Sequence, residues 1–109
     1  MANVEISNEN MATLLTMLEN NLGLILDWMD AEAKTAKETE LSQYIQAAAN
    51  FIDREGITID FADVGDLMLI TMYSSFLYEK RMDGVSVMPR ALRYNLNNRL
   101  FQESLTDEG

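Results

Sequence analysis

The chain has no cysteine and no histidine. The first absence removes disulfides and thiol chemistry and fits folding in a reducing cytoplasm. The second removes the commonest general base and the commonest metal ligand. Together they argue against a hydrolase or a zinc site and leave carboxylates as the remaining acid–base groups. Long hydrophobic runs are lacking as well. The most apolar stretch, residues 67–78, is too short and too closely flanked by charge to span a bilayer, which takes about 20 apolar residues. The first ten residues, MANVEISNEN, show no basic region followed by an apolar core. No signal peptide is therefore read there, and synthesis in the cytoplasm is expected.

Proline occurs once and glycine five times, with 48% hydrophobic and 24% charged residues. That composition belongs to a globular chain rather than a disordered one. At 109 residues there is room for one domain, with a core that is adequate but not large. No internal repeat or low-complexity tract is present.

Basic residues are the other shortage, and they are unevenly placed. Residues 1–66 carry thirteen acids against three bases, a charge of −10. Residues 67–101 carry two acids, Glu79 and Asp83, against Lys80, Arg81, Arg90, Arg93 and Arg99, a charge of +3. The last eight residues return −3, so the whole is −10. A body this acidic binds nucleic acid poorly, because duplex affinity comes largely from phosphate neutralisation. The basic last third is suited to an acidic partner.

The fold class follows from periodicity. Residues 67–78 are apolar on nearly every face, interrupted by Thr71, Ser74 and Ser75, as in a helix at the centre of a bundle. The expected architecture is all-α: about four helices in one domain over residues 1–109, with a central buried helix at about 61–82. Before it, residues 1–6 are expected to be loose. Ser7 is a candidate N-cap with Ile6 and Met11 as a hydrophobic staple. Met11, Leu14, Leu15, Leu18 and Leu22 form a helical stripe that either stops at Gly23 or runs on through Ile25, Leu26 and Met29; the stop is preferred. Trp28 reads as an anchor at the edge of the core. A second helix is expected from Thr35 or Glu38 to Glu55, with Leu41, Tyr44, Ile45, Ala48, Phe51 and Ile52 on its apolar face and Gly56 ending it. Residues 57–59 alternate briefly but have no sheet to join, and read as an extended link. Asp60 is the expected cap of the central helix, with Asp63 and Asp66 complementing its dipole. Asp83-Gly84 makes a turn, and Pro89 suits the opening of a last helix striped by Leu92, Leu96 and Leu100. Arg90, Arg93 and Arg99 lie off that stripe. From Gln102 onward the chain is polar, and a flexible arm is expected at about 102–109.

Two sets of residues invite a chemical reading. Asp60, Asp63 and Asp66, joined by Glu55, have spacings that suit a hard cation, but helix capping explains the same residues and is preferred. Tyr78, Glu79 and Arg81 have two readings of equal weight. They are either an ordinary helix C-terminus, where basic side chains meet the last carbonyls, or part of a contact between subunits in which arginines pair with carboxylates. For Arg99 a structural or interface role is preferred over DNA contact. The methionines read as core filling, apart from Met88, which with Val87 is a candidate for burial in a neighbour. No phosphate loop, EF-hand spacing or nucleophile elbow is present, so no cofactor, metal or enzyme activity is expected.

One order of elements carries a resemblance. Leu77-Tyr78-Glu79-Lys80-Arg81, then a loop, then Pro89 opening a helix that carries Arg99 ten residues on, resembles the head–tail connector (adaptor, or head-completion) proteins of tailed bacteriophages. The end of the second helix, AAxxFIxREG, is also similar to that family. The resemblance implies a structural virion protein, made in the host cytoplasm and located at the head–tail junction. Its copies would form a ring, a dodecamer by resemblance, on the portal protein. The ring would extend the DNA channel, let DNA pass without specific binding, and present a platform to the next neck, stopper or tail component; no membrane is involved. A C-terminal arm docking on the portal is also implied. The interface candidates are Tyr78, Glu79, Lys80, Arg81, Val87, Met88, Arg90, Arg93, Arg99, Glu103, Leu105 and Asp107. The alternative is a small acidic helical regulator, such as a DNA mimic, that binds a basic protein. It explains the charge equally well but not the order of the elements.

Overall fold

The computed structural model describes residues 3–84 and 87–108, with side chains as far as Leu105. It contains four helices and, among the described residues, no strand: α1 (Asn8–Leu22), α2 (Ala31–Arg54), α3 (Val64–Asp83) and α4 (Arg90–Glu108). The all-α bundle is as expected. α1 and α2 pack on α3 and on each other, and α4 lies against α3. The core joins Leu14 and Leu18 of α1, Leu41, Ile45, Ala48 and Ile52 of α2, Leu69, Ile70, Tyr73 and Phe76 of α3, and Leu92 and Leu96 of α4.

α1 begins and ends where local chemistry directs. The Ser7 hydroxyl accepts from the Asn10 N–H at 3.1 Å. Gly23 takes a left-handed φ of 70°, and bonds from Gly23 N–H to Asn20 O and from Leu24 N–H to Glu19 O close a Schellman motif. Of residues 1–6, expected to be loose, Met1 and Ala2 lie outside the described residues and residues 3–6 are held in place. The Val4 N–H donates to Asn50 Oδ1 at 2.9 Å, and Gln46 Nε2 donates to Val4 O at 2.7 Å. Two side-chain amides on α2 thus pair both backbone groups of Val4, and Ile6 packs on the core behind them.

α2 starts at Ala31, earlier than either start expected. Its cap is Asp30, whose Oδ1 accepts from the Ala33 N–H at 2.7 Å, and the Ala-Glu-Ala-Lys that follows is helix-prone. The loop of residues 23–30 is therefore short, and only Leu26 turns fully inward from it. Trp28, expected as a core-edge anchor, is instead 79% exposed. On the apolar face, Phe51 is also more open than expected but stacks on Tyr73 with ring centroids 5.8 Å apart. Gly56 ends the helix with a φ of 104°, and Ile57 is buried directly after it.

The central helix has buried residues from Asp66 to Phe76. Its hydroxyls are accommodated because they bond locally. Thr71 Oγ1 donates to Leu67 O at 2.9 Å, and Ser74 Oγ to Ile70 O at 2.7 Å. The cap is Asp63 rather than Asp60. Asp63 Oδ1 accepts from the Gly65 N–H, while Asp60 Oδ1 accepts from the Ala62 N–H and shapes the turn one step earlier. This shortens the helix from the expected 61 to Val64. Gly84 closes it with a φ of 72°.

α4 opens one residue after Pro89, whose carbonyl accepts from the Arg93 N–H at 3.2 Å. Leu92 and Leu96 are fully buried and Leu100 half so, matching the expected stripe. Within the stretch expected as a flexible arm at about 102–109, the helix continues through Glu108. No glycine or proline interrupts residues 102–108, and Glu103 is anchored by an i,i+4 bond from Arg99 Nη1 at 2.9 Å.

The start of α2 is open to a direct check. Asp30→Ala is expected to cost about 1 kcal/mol in urea unfolding, as loss of an N-cap does, while Thr35→Ala stays within about 0.5 kcal/mol. The reverse order would move the cap to Thr35.

Candidate functional site

The chemistry-bearing residues gather where α3 begins, where the link of residues 57–63 runs, and where α4 crosses both. Asp66 lies in the first turn of α3 with its side chain 3% exposed. Arg99 projects from the inward side of α4 and forks onto it, with Nε to Oδ1 at 2.8 Å and Nη2 to Oδ2 at 3.3 Å. The same Nη2 donates to Thr58 O at 2.8 Å. Glu103 completes the circuit: one oxygen accepts from Arg99 Nη1, and the other accepts from the Thr58 N–H at 3.1 Å. Asp66 Oδ2 also accepts from the Asp60 N–H at 2.9 Å. Three donor nitrogens of one guanidinium thus bind a helix start, a link and its own helix.

The electrostatics agree with the geometry. The hydrogen bond to Asp66 is the largest influence on Arg99 and raises its pKa, with Glu103 adding to it. The bonds from Thr58 and Arg99 hold the Glu103 carboxyl below the usual glutamate value of 4.5. A second fork lies two turns earlier on α4. Arg93 Nη1 and Nη2 donate to the two carboxylate oxygens of Glu55 at 2.8 and 3.1 Å, tying α4 to the end of α2 at a more exposed position.

These partners account for the acidic residues considered for a cation. Asp63 caps α3, Asp60 caps a turn, Asp66 faces Arg99 and Glu55 faces Arg93. Among the described residues no group of three such ligands gathers around a point that could hold a metal.

The interface candidates divide accordingly. Arg93, Arg99 and Glu103 have partners within the chain, as above. Tyr78 is half-buried, its ring set edge-on to Tyr44 with centroids 5.7 Å apart, and its hydroxyl accepts from Lys37 Nζ at 2.9 Å. Met88 packs on the core. Glu79, Lys80, Arg81, Val87, Arg90 and Leu105 are exposed, with Glu79 accepting from Ser75 Oγ at 3.3 Å. The side chain of Asp107 lies outside the described residues.

The cations can be accounted for one by one. Lys34, Lys37, Arg93 and Arg99 make ion pairs, and Arg54 lies over the Phe51 ring. Among the described residues Lys80, Arg81 and Arg90 have neither an ion pair nor a ring contact, and all three flank the turn between α3 and α4. Two exposed aromatic residues of α4, Tyr94 and Phe101, were not singled out from the sequence. Their seven-residue spacing, continued by Leu105, was the available signal.

No protein-family model, curated protein or solved structure matches this chain. Among the described residues no helix is long and apolar enough to cross a membrane.

Removing Arg99 leaves a buried carboxylate without its counter-charge. Arg99→Met is expected to destabilise the fold by about 3–5 kcal/mol. Arg93→Met, at an exposed pair, should cost no more than about 1 kcal/mol. Urea unfolding compares the two, and equal losses would remove Asp66 from its central position. Because the folded-state pKa of Glu103 is depressed, its stabilisation is present above its unfolded value. It is lost as pH falls from about 4.5 through the lower folded value. Acid titration of wild type and Glu103→Gln should therefore show the wild type losing its advantage across that window. Parallel curves would contradict this.

Proposed function

We propose that the protein is a head–tail connector of a tailed bacteriophage. It is a structural virion protein whose copies ring the portal vertex, extend the DNA channel and carry the next neck or tail component. The resemblance in the order of elements supports this, from Tyr78-Glu79-Lys80-Arg81 through the loop to Pro89 and Arg99. The observation that carries it is the placement of the unpaired cations. In a chain of charge −10, Lys80, Arg81 and Arg90 flank one turn without an ion-pair partner among the described residues, next to exposed Val87.

A ring forms when one surface of a subunit meets a different surface of the next and the rotation closes. The basic turn is one such surface. Exposed acids on the other helices, such as Glu9 of α1 and Glu32 and Asp53 of α2, provide complementary ones. The guanidinium of Arg81 suits bidentate pairing with them. An acidic remainder facing the channel repels phosphate and lets DNA pass without sticking. The arm implied by resemblance narrows to the end of α4 beyond Glu103, since Glu103 belongs to the Arg99 circuit.

The test is to mix the purified protein with portal rings of the phage that encodes it, followed by co-sedimentation and negative-stain imaging. A coaxial ring of added density is expected, and the double variant Lys80→Glu/Arg81→Glu should lose it while keeping the same circular dichroism. Failure of the folded wild-type protein to bind would remove the connector reading and favour an acidic regulator of a basic partner.

A further inference from the structure

α4 is apolar on two opposite faces. With 3.6 residues per turn, Tyr94, Phe101 and Leu105 fall on one line along the helix, opposite Leu92, Leu96 and Glu103. They are 68%, 65% and 52% exposed. The positions beside them, Ala91, Asn97, Asn98 and Ser104, are uncharged. Between Arg90 and Glu108 this chain of charge −10 thus presents a ridge with no charge on it. Beside the ridge runs a cleft of about 420 Å³, lined by Asn95, Asn98 and Gln102 of α4 and by Met68, Leu69 and Met72 of α3, with Asp63 and the Asp66–Arg99 pair at its end by the start of α3. Asn95 Nδ2 reaches Met72 Sδ across it at 3.5 Å. A second cleft of about 390 Å³ extends from the same two methionines towards Met17 of α1.

We propose that this face binds a second copy of the chain. The contact is a two-fold pair in which the Tyr94–Phe101–Leu105 ridge of each copy seats in the methionine-lined cleft of the other. Three observations select that occupant. First, ridge and cleft adjoin on one face, so a single two-fold rotation fills both clefts at once, which is the condition for a self-complementary contact. Second, two copies of charge −10 repel each other over most of their surfaces, and the uncharged α4 face is where they can approach. Antiparallel packing there sets each Arg90 beside the negative C-terminal end of the partner's α4. Third, the apolar area matches a weak pair. At about 150–250 Å² for a whole aromatic side chain, Tyr94 and Phe101 alone offer roughly 250 Å² per copy. With the half-exposed Leu105 and Met68 the apolar area stays below about 600 Å² per partner, the size of a weak, transient contact that forms at micromolar concentration. Aromatic anchors over flexible methionines have the composition of an interface centre.

The pair shares Arg90 and the end of α4 with the connector reading but is distinguishable from it. It closes at two copies, uses neither Lys80 nor Arg81, and responds to salt in the opposite sense. Screening weakens a contact between a basic turn and acidic helices, but strengthens one between like-charged bodies meeting at a neutral face.

Sedimentation equilibrium over the micromolar range tests it. The wild type is expected to approach twice its 12.4 kDa mass and to associate more tightly as salt is raised. Phe101→Asp on the ridge and Met68→Glu in the cleft should each raise the dissociation constant by about 30-fold or more, with unchanged circular dichroism. Trp28→Asp, an exposed aromatic elsewhere, should have no effect. Tyr94→Asp replaces Phe101→Asp if the latter does not fold. A wild type that stays monomeric, a species larger than two copies, or a folded ridge variant that still pairs would overturn the proposal.

Discussion

The fold depends on one buried ion pair. Asp66 is almost wholly out of water, and a carboxylate there is tolerable only because Arg99 and the Asp60 N–H saturate it. The pair links segments that would otherwise be weakly joined, because α4 rests on α3 through little more than three leucines. Those leucines alone would set its position poorly. A slide of α4 by one turn, about 5.4 Å, brings leucine against much the same apolar surface. The same slide strips the guanidinium of both carboxylate oxygens and of Thr58 O. The charge pair therefore selects the register, while the leucines provide most of the burial. Buried ion pairs add less net stability than well-packed apolar groups, and a registry role is their best-attested use.

The course of the link between α2 and α3 follows from the same point. Gly56 turns the chain at a positive φ, with the Leu100 side chain 3.6 Å from where a β-carbon would sit. Ile57 is driven into the core, and Thr58 then presents both its backbone groups to α4, the carbonyl to Arg99 and the N–H to Glu103. The link forms no sheet, yet both backbone groups of Thr58 are satisfied by side chains of the last helix, and the Asp60 N–H by Asp66 of α3. This also explains why α4 runs past Gln102: Glu103 is held from two sides, so the turn containing it does not fray.

Whatever depended on local chemistry was legible in the sequence. Ser7, Gly23, Gly56, Gly84 and the Leu92–Leu96–Leu100 stripe act as their residue types and spacings indicate. The misreadings share a cause, which is competition between similar local signals settled by distant contacts. Asp30 and Thr35 both suit a cap, as do Asp60 and Asp63; in each case which one serves depends on where the chain must enter the bundle. Trp28 looked like an anchor by size, but Leu26 took the inward position of a short loop. Residues 3–6 looked loose because their partners, Gln46 and Asn50, lie more than forty positions away. Arg99 was singled out by its spacing from Pro89, but its partner was one of three equally spaced aspartates. Only the crossing of α4 over the start of α3 distinguishes Asp66. Tyr94 and Phe101 were hidden because one helix carries two apolar stripes, and the buried leucine stripe is the stronger in sequence.

The distribution of charge connects these parts. Of eight cations, four pair with carboxylates among the described residues, and two of those hold α4 in place. Folding therefore uses much of the small supply of positive charge and leaves the acidic excess on the surface. The same packing sets three of the other four, Lys80, Arg81 and Arg90, beside the α3–α4 turn and leaves the outer face of α4 neutral between Arg90 and Glu108. Neither feature helps the isolated chain. Unpaired cations at one turn do not stabilise a bundle, and exposed aromatics on a helix reduce solubility. On an otherwise acidic surface each is an exception to the repulsion that keeps copies apart, and the two differ in kind. On the proposals made above, the basic turn would attract unlike surfaces through charge, which favours open or ring-like repetition, whereas the neutral ridge would attract its own kind through burial, which favours pairing. A protein with both can hold itself in one association while free and adopt another on an acidic or repeating template, with ionic strength shifting the balance between them.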